Sequence, residues 1–142
     1  MKIEPRTFTL PSGEVLTVRS LGAEDAEAQN AFRCATYSET YFMARYPEEC
    51  TSLEAVQKGL AGSESSALNF EVGAFSGIKL VGEFGVAQVR PHIKYRHRAG
   101  MGISVLKEAW GGGLGSFLMQ LAVAQAKANG FEQLELGVYS DN

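Results

Sequence analysis

The sequence predicts an α+β fold, a mixed and mostly antiparallel sheet flanked by helices. Three observations lead there. β-prone runs arrive in bunches, not in regular alternation with helices. One strongly periodic helix lies late in the chain between two strands. A length of 142 residues, with 45% hydrophobic and 20% charged, suits one domain around one core, so residues 1–142 are read together.

The elements follow in order. Thr7 to Leu10 and Val15 to Leu21 flank the turn cluster Pro11-Ser12-Gly13 and read as an opening hairpin. Glu24, Asp25 and Glu27 then place acidic residues where a first helical turn favours them, which predicts a helix from Ala23 to about Tyr37. Pro47 interrupts, and Thr51-Ser52-Leu53-Glu54 carries a capping-box pattern that starts a short helix to about Leu60. Residues 62–66 (Gly-Ser-Glu-Ser-Ser) read as a surface loop. Asn69 to Phe75 and Ile78 to Val89 flank Ser76-Gly77 as an antiparallel hairpin. Arg90-Pro91-His92 ends the longer strand, and another is predicted from near Tyr95 to Leu106.

Leu114, Phe117, Leu118, Leu121 and Ala124 recur at helical spacing, giving a helix over Gly113 to Asn129 with Gly130 as its stop. Leu134, Leu136 and Val138 alternate with Glu135, Gly137 and Tyr139, the mark of a half-buried strand. The long helix then crosses between two parallel strands.

Composition excludes several function classes. With 13 Lys plus Arg against 16 Asp plus Glu the net charge is −3, so no global basic field exists to hold a nucleic acid, although a local basic patch stays open. No apolar run is long enough for a membrane span, and the N-terminus lacks the apolar core of a secretory signal, which points to the cytoplasm. Cys34 and Cys50 match no paired zinc spacing, and no metal is expected. They read as two thiols of a reducing cytoplasm, not as a disulfide.

The chemistry concentrates between Leu106 and the long helix. Four of 16 glycines fall within five positions there: Gly111, Gly112, Gly113 and Gly115, with Leu114 and Ser116 among and after them. Glycine at a helix start costs about 1 kcal/mol against alanine. Uncovered N–H groups at the positive end of the helix dipole, however, make a site for a phosphate. A P-loop would need a lysine that is absent, and a dinucleotide fingerprint would need a small residue where Leu118 stands.

What remains is Gly-x-Gly at Gly113 and Gly115 after an apolar strand and before an amphipathic helix. This resembles the GCN5-related N-acetyltransferase (GNAT) family, whose pyrophosphate loop reads Gln/Arg-x-x-Gly-x-Gly/Ala. Trp110 stands at the Gln/Arg position, as in the branch related to ribosomal-protein alanine and polyamine acetyltransferases. The resemblance follows the order of elements through the whole chain, and its specific part is Arg96 to Asn142. It implies that Val105 and Leu106 offer backbone groups to the pantetheine arm of acetyl-CoA, that Gly111 to Ser116 cradle the pyrophosphate, and that Asn142 lies beside the cofactor.

Acetyl transfer to an amine needs a proton acceptor for the amine and an acid for the departing thiolate. Glu83, on the longer central strand, is a candidate base, with a solvated strand carboxylate as the plainer alternative; Tyr139 could reach the cleft as a candidate catalytic group, although an aromatic on a strand more often serves packing. His97, between two arginines, suits a polar strand face, and Glu108 suits a loop charge. By resemblance the first two helices wall the acceptor cleft, where Glu24, Asp25, Glu27, Glu48 and Glu49 could attract a cation or simply be solvated.

In the family, a helix bearing the usual acid tyrosine and two more strands follow the position of Asn142. The resemblance thus implies a C-terminally incomplete domain with an uncovered sheet edge, and so a homodimer or larger self-association. The expected function is transfer of an acetyl group from acetyl-CoA to an amine of a small molecule or a protein N-terminus. The alternatives are a non-catalytic acyl-CoA sensor or interaction module, and a binder of another phosphate ligand.

Overall fold

The computed structural model describes residues 1–43, 45–140 and 142. Its strands are β1 (Arg6–Thr9), β2 (Val15–Ser20), β3 (Phe70–Ser76), β4 (Lys79–Gln88), β5 (Arg98–Val105) and β6 (Gln133–Glu135), and its helices are α1 (Ala26–Glu39), α2 (Leu53–Ser65) and α3 (Leu114–Ala128). The strands form one sheet in chain order, antiparallel throughout except for the parallel β5–β6 pair. The α+β architecture expected from the sequence is the one observed.

Side-chain alternation along β4 distributes the helices. At Gly82 a Cβ would come within 3.2 Å of Leu114 and 3.3 Å of Leu118, so α3 packs closely on that face. The next residue, Glu83, faces the other way and bonds to α1. Phe70, Val72, Phe84 and Val86 are buried with Leu114, Leu118 and Ala122, and Phe70 meets Phe84 edge to face at 5.9 Å. Val56 and Leu60 of α2 bury the opposite side. Between Ala74 and Phe75 the β3–β4 register shifts, leaving Val81 without a partner in the ladder. At Gly73 a Cβ would lie 2.5 Å from the end of Leu80 and 2.7 Å from the end of Leu21, so any side chain there would displace both leucines.

Several local expectations are corrected. The second helix caps on Ser52, whose hydroxyl accepts the Ala55 N–H at 3.3 Å, and it runs through residues 62–65, which the polar composition had suggested as loop. Gly62 there meets no neighbour, and its helical turns continue because the amphipathic face anchored by Val56 and Leu60 carries them. The strand expected from Tyr95 begins only at Arg98, after a 3-10 turn at Ile93–Tyr95. The last strand keeps only Gln133–Glu135; the chain then parts from β5, and Leu136 and Val138 are exposed. Cys34 and Cys50 are joined as a disulfide, contrary to the two-thiol reading. The chain between them folds back from the end of α1 and brings their Cα atoms to 5.5 Å, within bridging distance.

One ion pair fixes the entry into α1. Arg19 on β2 donates to both carboxylate oxygens of Asp25 at 2.9 and 2.8 Å, and the Gly22 N–H donates at 2.9 Å. Burial opposes the charge on Asp25, but the Arg19 guanidinium and the Gly22 N–H outweigh it and hold the carboxyl below its usual range. A lowered folded-state pKa gives stability that is complete above the ordinary aspartate value near about 4 and is lost as pH falls through the folded value. Asp25→Asn is therefore expected to cost about 1–2 kcal/mol in urea unfolding at pH 7, the half-open Arg19 side tempering the loss, and the gap should close as pH drops below about 4. A gap that is independent of pH would contradict this assignment.

Candidate active site

The parallel strands β5 and β6 pair only over Arg98↔Gln133, Ala99↔Leu134 and Gly100↔Glu135, while β5 continues to Val105. Arg98 O accepts from Val89 N, and Leu106 N donates to Val81 O at 2.9 Å, so the even-numbered residues here direct their backbone groups to β4. Alternation turns the backbone groups of Met101, Ile103 and Val105 to the other edge, past the end of β6. Val105 O there accepts the Trp110 indole N–H at 2.8 Å. Leu106, expected beside Val105 to offer backbone groups to a ligand, has its N–H donated to Val81 O of β4 and is itself buried.

Two hollows flank this edge. One, of about 800 Å³, is bounded by Glu39, Ile103, Val105, Trp110, Gly115, Ser116 and Asn142. The other, of about 1040 Å³, is bounded by Arg33, Glu71, Glu83, Met101, Val138 and Tyr139. Phe42, Met43, Ile103 and Ser104 line both, so the two hollows adjoin along these residues. The helix start at Gly115 and Ser116 borders the first hollow, and Glu83 and Tyr139 border the second.

The four loop glycines do different things. Gly111 and Gly113 have φ of +75° and +85°, left-handed values that disfavour any side chain. Gly112 is bare because a Cβ would meet Pro11 at 3.0 Å and Leu10 at 3.1 Å. Gly115 has neither reason: it lies inside the first turn of α3 at ordinary φ, and a Cβ there would meet nothing within 4 Å. The first N–H to close onto the helix is Phe117, donating to Gly113 O at 3.0 Å, so the N–H groups of Leu114, Gly115 and Ser116 belong to the open helix start. At Gly115 the fold leaves room that it does not use.

Glu83 is 8% exposed, so the solvated-carboxylate alternative fails. Its Oε1 accepts Arg33 Nε at 2.8 Å and its Oε2 accepts Gln29 Nε2 at 2.7 Å. The same Gln29 amide donates to Glu71 at 2.8 Å, and Ser63 donates to Glu71 at 2.8 Å. Burial raises the Glu83 pKa above the usual carboxylate range; Arg33 and Gln29 oppose that rise, and the charge on Glu71 adds to it. Tyr139 is 52% exposed, 6.2 Å from Phe42 between ring centroids. Both candidate catalytic residues thus border one hollow.

The other candidates lie elsewhere. His97 spends its carbonyl on the N–H groups of Glu132 and Gln133, and Glu108 pairs with Lys79 at 2.6 Å. None of Glu24, Asp25, Glu27, Glu48 or Glu49 borders the cleft, and Asp25 is occupied by Arg19. Sequence reasoning missed Gln29, Arg33 and Glu71. The register pairs Gly73 with Glu83 and Glu71 with Gly85, so both carboxylates share a face; the signal in the sequence was the spacing of Gln29 and Arg33, one helical turn apart.

Comparison with known proteins agrees with this architecture. The model of the acetyltransferase (GNAT) family matches residues 27–142. No curated protein matches the chain. Among solved structures, the acetyltransferase of the GNAT family from Streptococcus pneumoniae superposes with a TM-score of 0.84 at 27% identity, covering 89% of this chain and 77% of that one. An acetyltransferase-class structure from Salmonella typhimurium, holding its cofactor acetyl-CoA, gives 0.77 at 15% identity, covering 89% and 72%. The ribosomal-protein-alanine N-acetyltransferase from Brucella melitensis gives 0.76 at 22% identity, covering 88% and 75%.

The distinct roles of the glycines separate in stability measurements. Gly113→Ala should lose about 1–2 kcal/mol on chemical unfolding, the cost of a Cβ at left-handed φ. Gly115→Ala should gain about 0.4–1 kcal/mol, because helix propensity rises with no clash. Destabilisation by both substitutions would refute the claim that the fold does not need Gly115.

Proposed function

Since the chain belongs to the GNAT family of acetyltransferases, we propose that it transfers an acetyl group from acetyl-CoA to an amine, with Glu83 as the proton acceptor. The observation that carries this reading is the pair of adjoining hollows along the open β5 edge, one bounded by a bare helix start and the other by a buried carboxylate of raised pKa.

The residues present fit the cosubstrate. The unused room at Gly115 and the first-turn N–H groups at Leu114, Gly115 and Ser116 suit a diphosphate, with Gly111 to Gly113 shaping the loop. The open edge at Met101, Ile103 and Val105 suits the amide-bearing pantetheine arm by strand-like hydrogen bonding, and Asn142 borders the same hollow. Acetyl-CoA bound there would supply an acyl group activated as a thioester.

The chain's own residues account for the proton. An amine attacks only when neutral, so its proton must leave, and Glu83 is the buried carboxylate that can take it. Its raised pKa makes it a stronger base than a solvated glutamate, while Arg33 and Gln29 keep it oriented and able to return to the charged form. Tyr139, at the same hollow, is the proposed donor to the departing thiolate.

Glu83→Gln should lower kcat by about 10²–10⁴ and leave coenzyme A affinity unchanged. In the parent protein the rate should fall as pH drops through the raised Glu83 value, and that limb should vanish in the variant. Thiol release from acetyl-CoA across an amine panel, followed against pH, measures both. Coenzyme A binding with no thiol release for any amine would overturn the transferase reading in favour of a binding module.

A further inference from the structure

The hairpin loop between β4 and β5 concentrates positive charge on an otherwise acidic chain. Residues 90–98 read Arg-Pro-His-Ile-Lys-Tyr-Arg-His-Arg, with four of the 13 basic residues and no acid; the remaining chain carries 9 basic against 16 acidic residues. Arg98 is neutralised by Glu135, its Nε donating at 2.8 Å. Among the described residues no carboxylate pairs with Arg90, Lys94 or Arg96, and all three are exposed.

The loop is built, not slack. Val89 N donates to Arg98 O at 3.1 Å, His92 N to Arg90 O at 2.8 Å, and Tyr95 N to His92 O at 2.9 Å. The Gln88 side chain donates to His92 O at 3.3 Å. The Tyr95 ring lies under the guanidinium groups of Arg90, at 5.3 Å, and Arg98, at 5.8 Å. At the tip Ile93 is 84% exposed between the charges. The base of the loop, Gln88 and Val89, borders the same hollow as Glu83 and Tyr139.

We infer that this loop docks an acidic segment of a polypeptide acceptor whose amine enters the cleft at Glu83. The inference rests on the amine-acetylation reading and adds the class of acceptor. Charge complementarity selects an anionic partner. The amine selects among anions: a polypeptide carries an aliphatic amine and carboxylates on one chain, whereas nucleobase amines are poor nucleophiles. A long polyanion would also leave the loop and meet the net negative remainder of the surface. From Val89 to Lys94 the chain spans at most about 17 Å, so the acidic residues are expected within about five residues of the acetylated amine.

The test uses fluorescent peptides of one length with a free N-terminal amine followed by acidic, neutral or basic residues. Binding is read by anisotropy, so it does not depend on turnover, and KM is read by thiol release. The acid-tailed peptide should bind about 10-fold tighter than the neutral one, with the advantage shrinking as salt rises. Arg90→Glu together with Lys94→Glu and Arg96→Glu should raise KM for the acid-tailed peptide by about 10-fold, with kcat and the rate on a small amine unchanged. Lys94→Ala and Arg96→Ala singly should each raise it about 2–3-fold, which keeps the test open if the triple variant misfolds.

Equal affinity for all three tails would overturn the proposal. So would tighter binding of an oligoribonucleotide of equal charge, or of anionic phospholipid vesicles, than of the acid-tailed peptide. Selective peptide binding without acetyl transfer would sustain the docking surface while removing the amine-acetylation reading beneath it.

Discussion

Backbone groups in a sheet normally find partners, and the molecule is organised around a place where one strand's partners run out. β5 and β6 pair at three positions and then part, so an inner edge of the sheet lies open along Met101 to Val105. An open edge inside a fold is a ready partner for an extended, amide-bearing ligand and a liability otherwise. The other features follow from it. α3 starts beside the opening, Phe42 and Met43 reach it from beyond α1, and β4 carries Glu83 on the adjoining strand.

Glycine use and carboxylate burial both surrender stability locally, which the proposed function accounts for. Gly82 and Gly73 let helix and side chains approach the sheet, and Gly111 and Gly113 turn the loop, so these serve the fold. Gly115 does not, and in the proposed function its cost to the helix is accounted for by a diphosphate approaching its N–H. Glu83 similarly loses solvation, offset by Arg33 and Gln29, and Glu71 shares the same donors. Two carboxylates, the Arg33 guanidinium, the Gln29 amide and the Ser63 hydroxyl make up this network and hold Glu83 in place.

Much of this was legible in the sequence because the signals were local. The periodicity of α3, the hairpin about Ser76-Gly77 and the glycine cluster each depend on neighbours a few residues apart, and each lies where expected. The errors came from long-range effects. The polar stretch at residues 62–65 joined α2 because the helix was anchored earlier by Val56 and Leu60. Alternation after Leu134 suggested a strand of six residues, but the chain parts from β5 after Glu135, although β5 itself runs on to Val105. The parity that gives Leu106 to β4 and Val105 to the open edge is fixed by pairing register, which no single segment carries. The joining of Cys34 to Cys50 depends on the return of the chain after α1, invisible in a spacing of 16 residues.

An amide-resolved NMR titration with coenzyme A tests the account most directly. The largest shifts are expected at Met101, Ile103 and Val105 and at Gly111 to Ser116, with Gly102 and Ser104, whose N–H groups face β4, moving less. Saturating ligand that leaves these amides in place, or that perturbs a different face of the sheet, would contradict it.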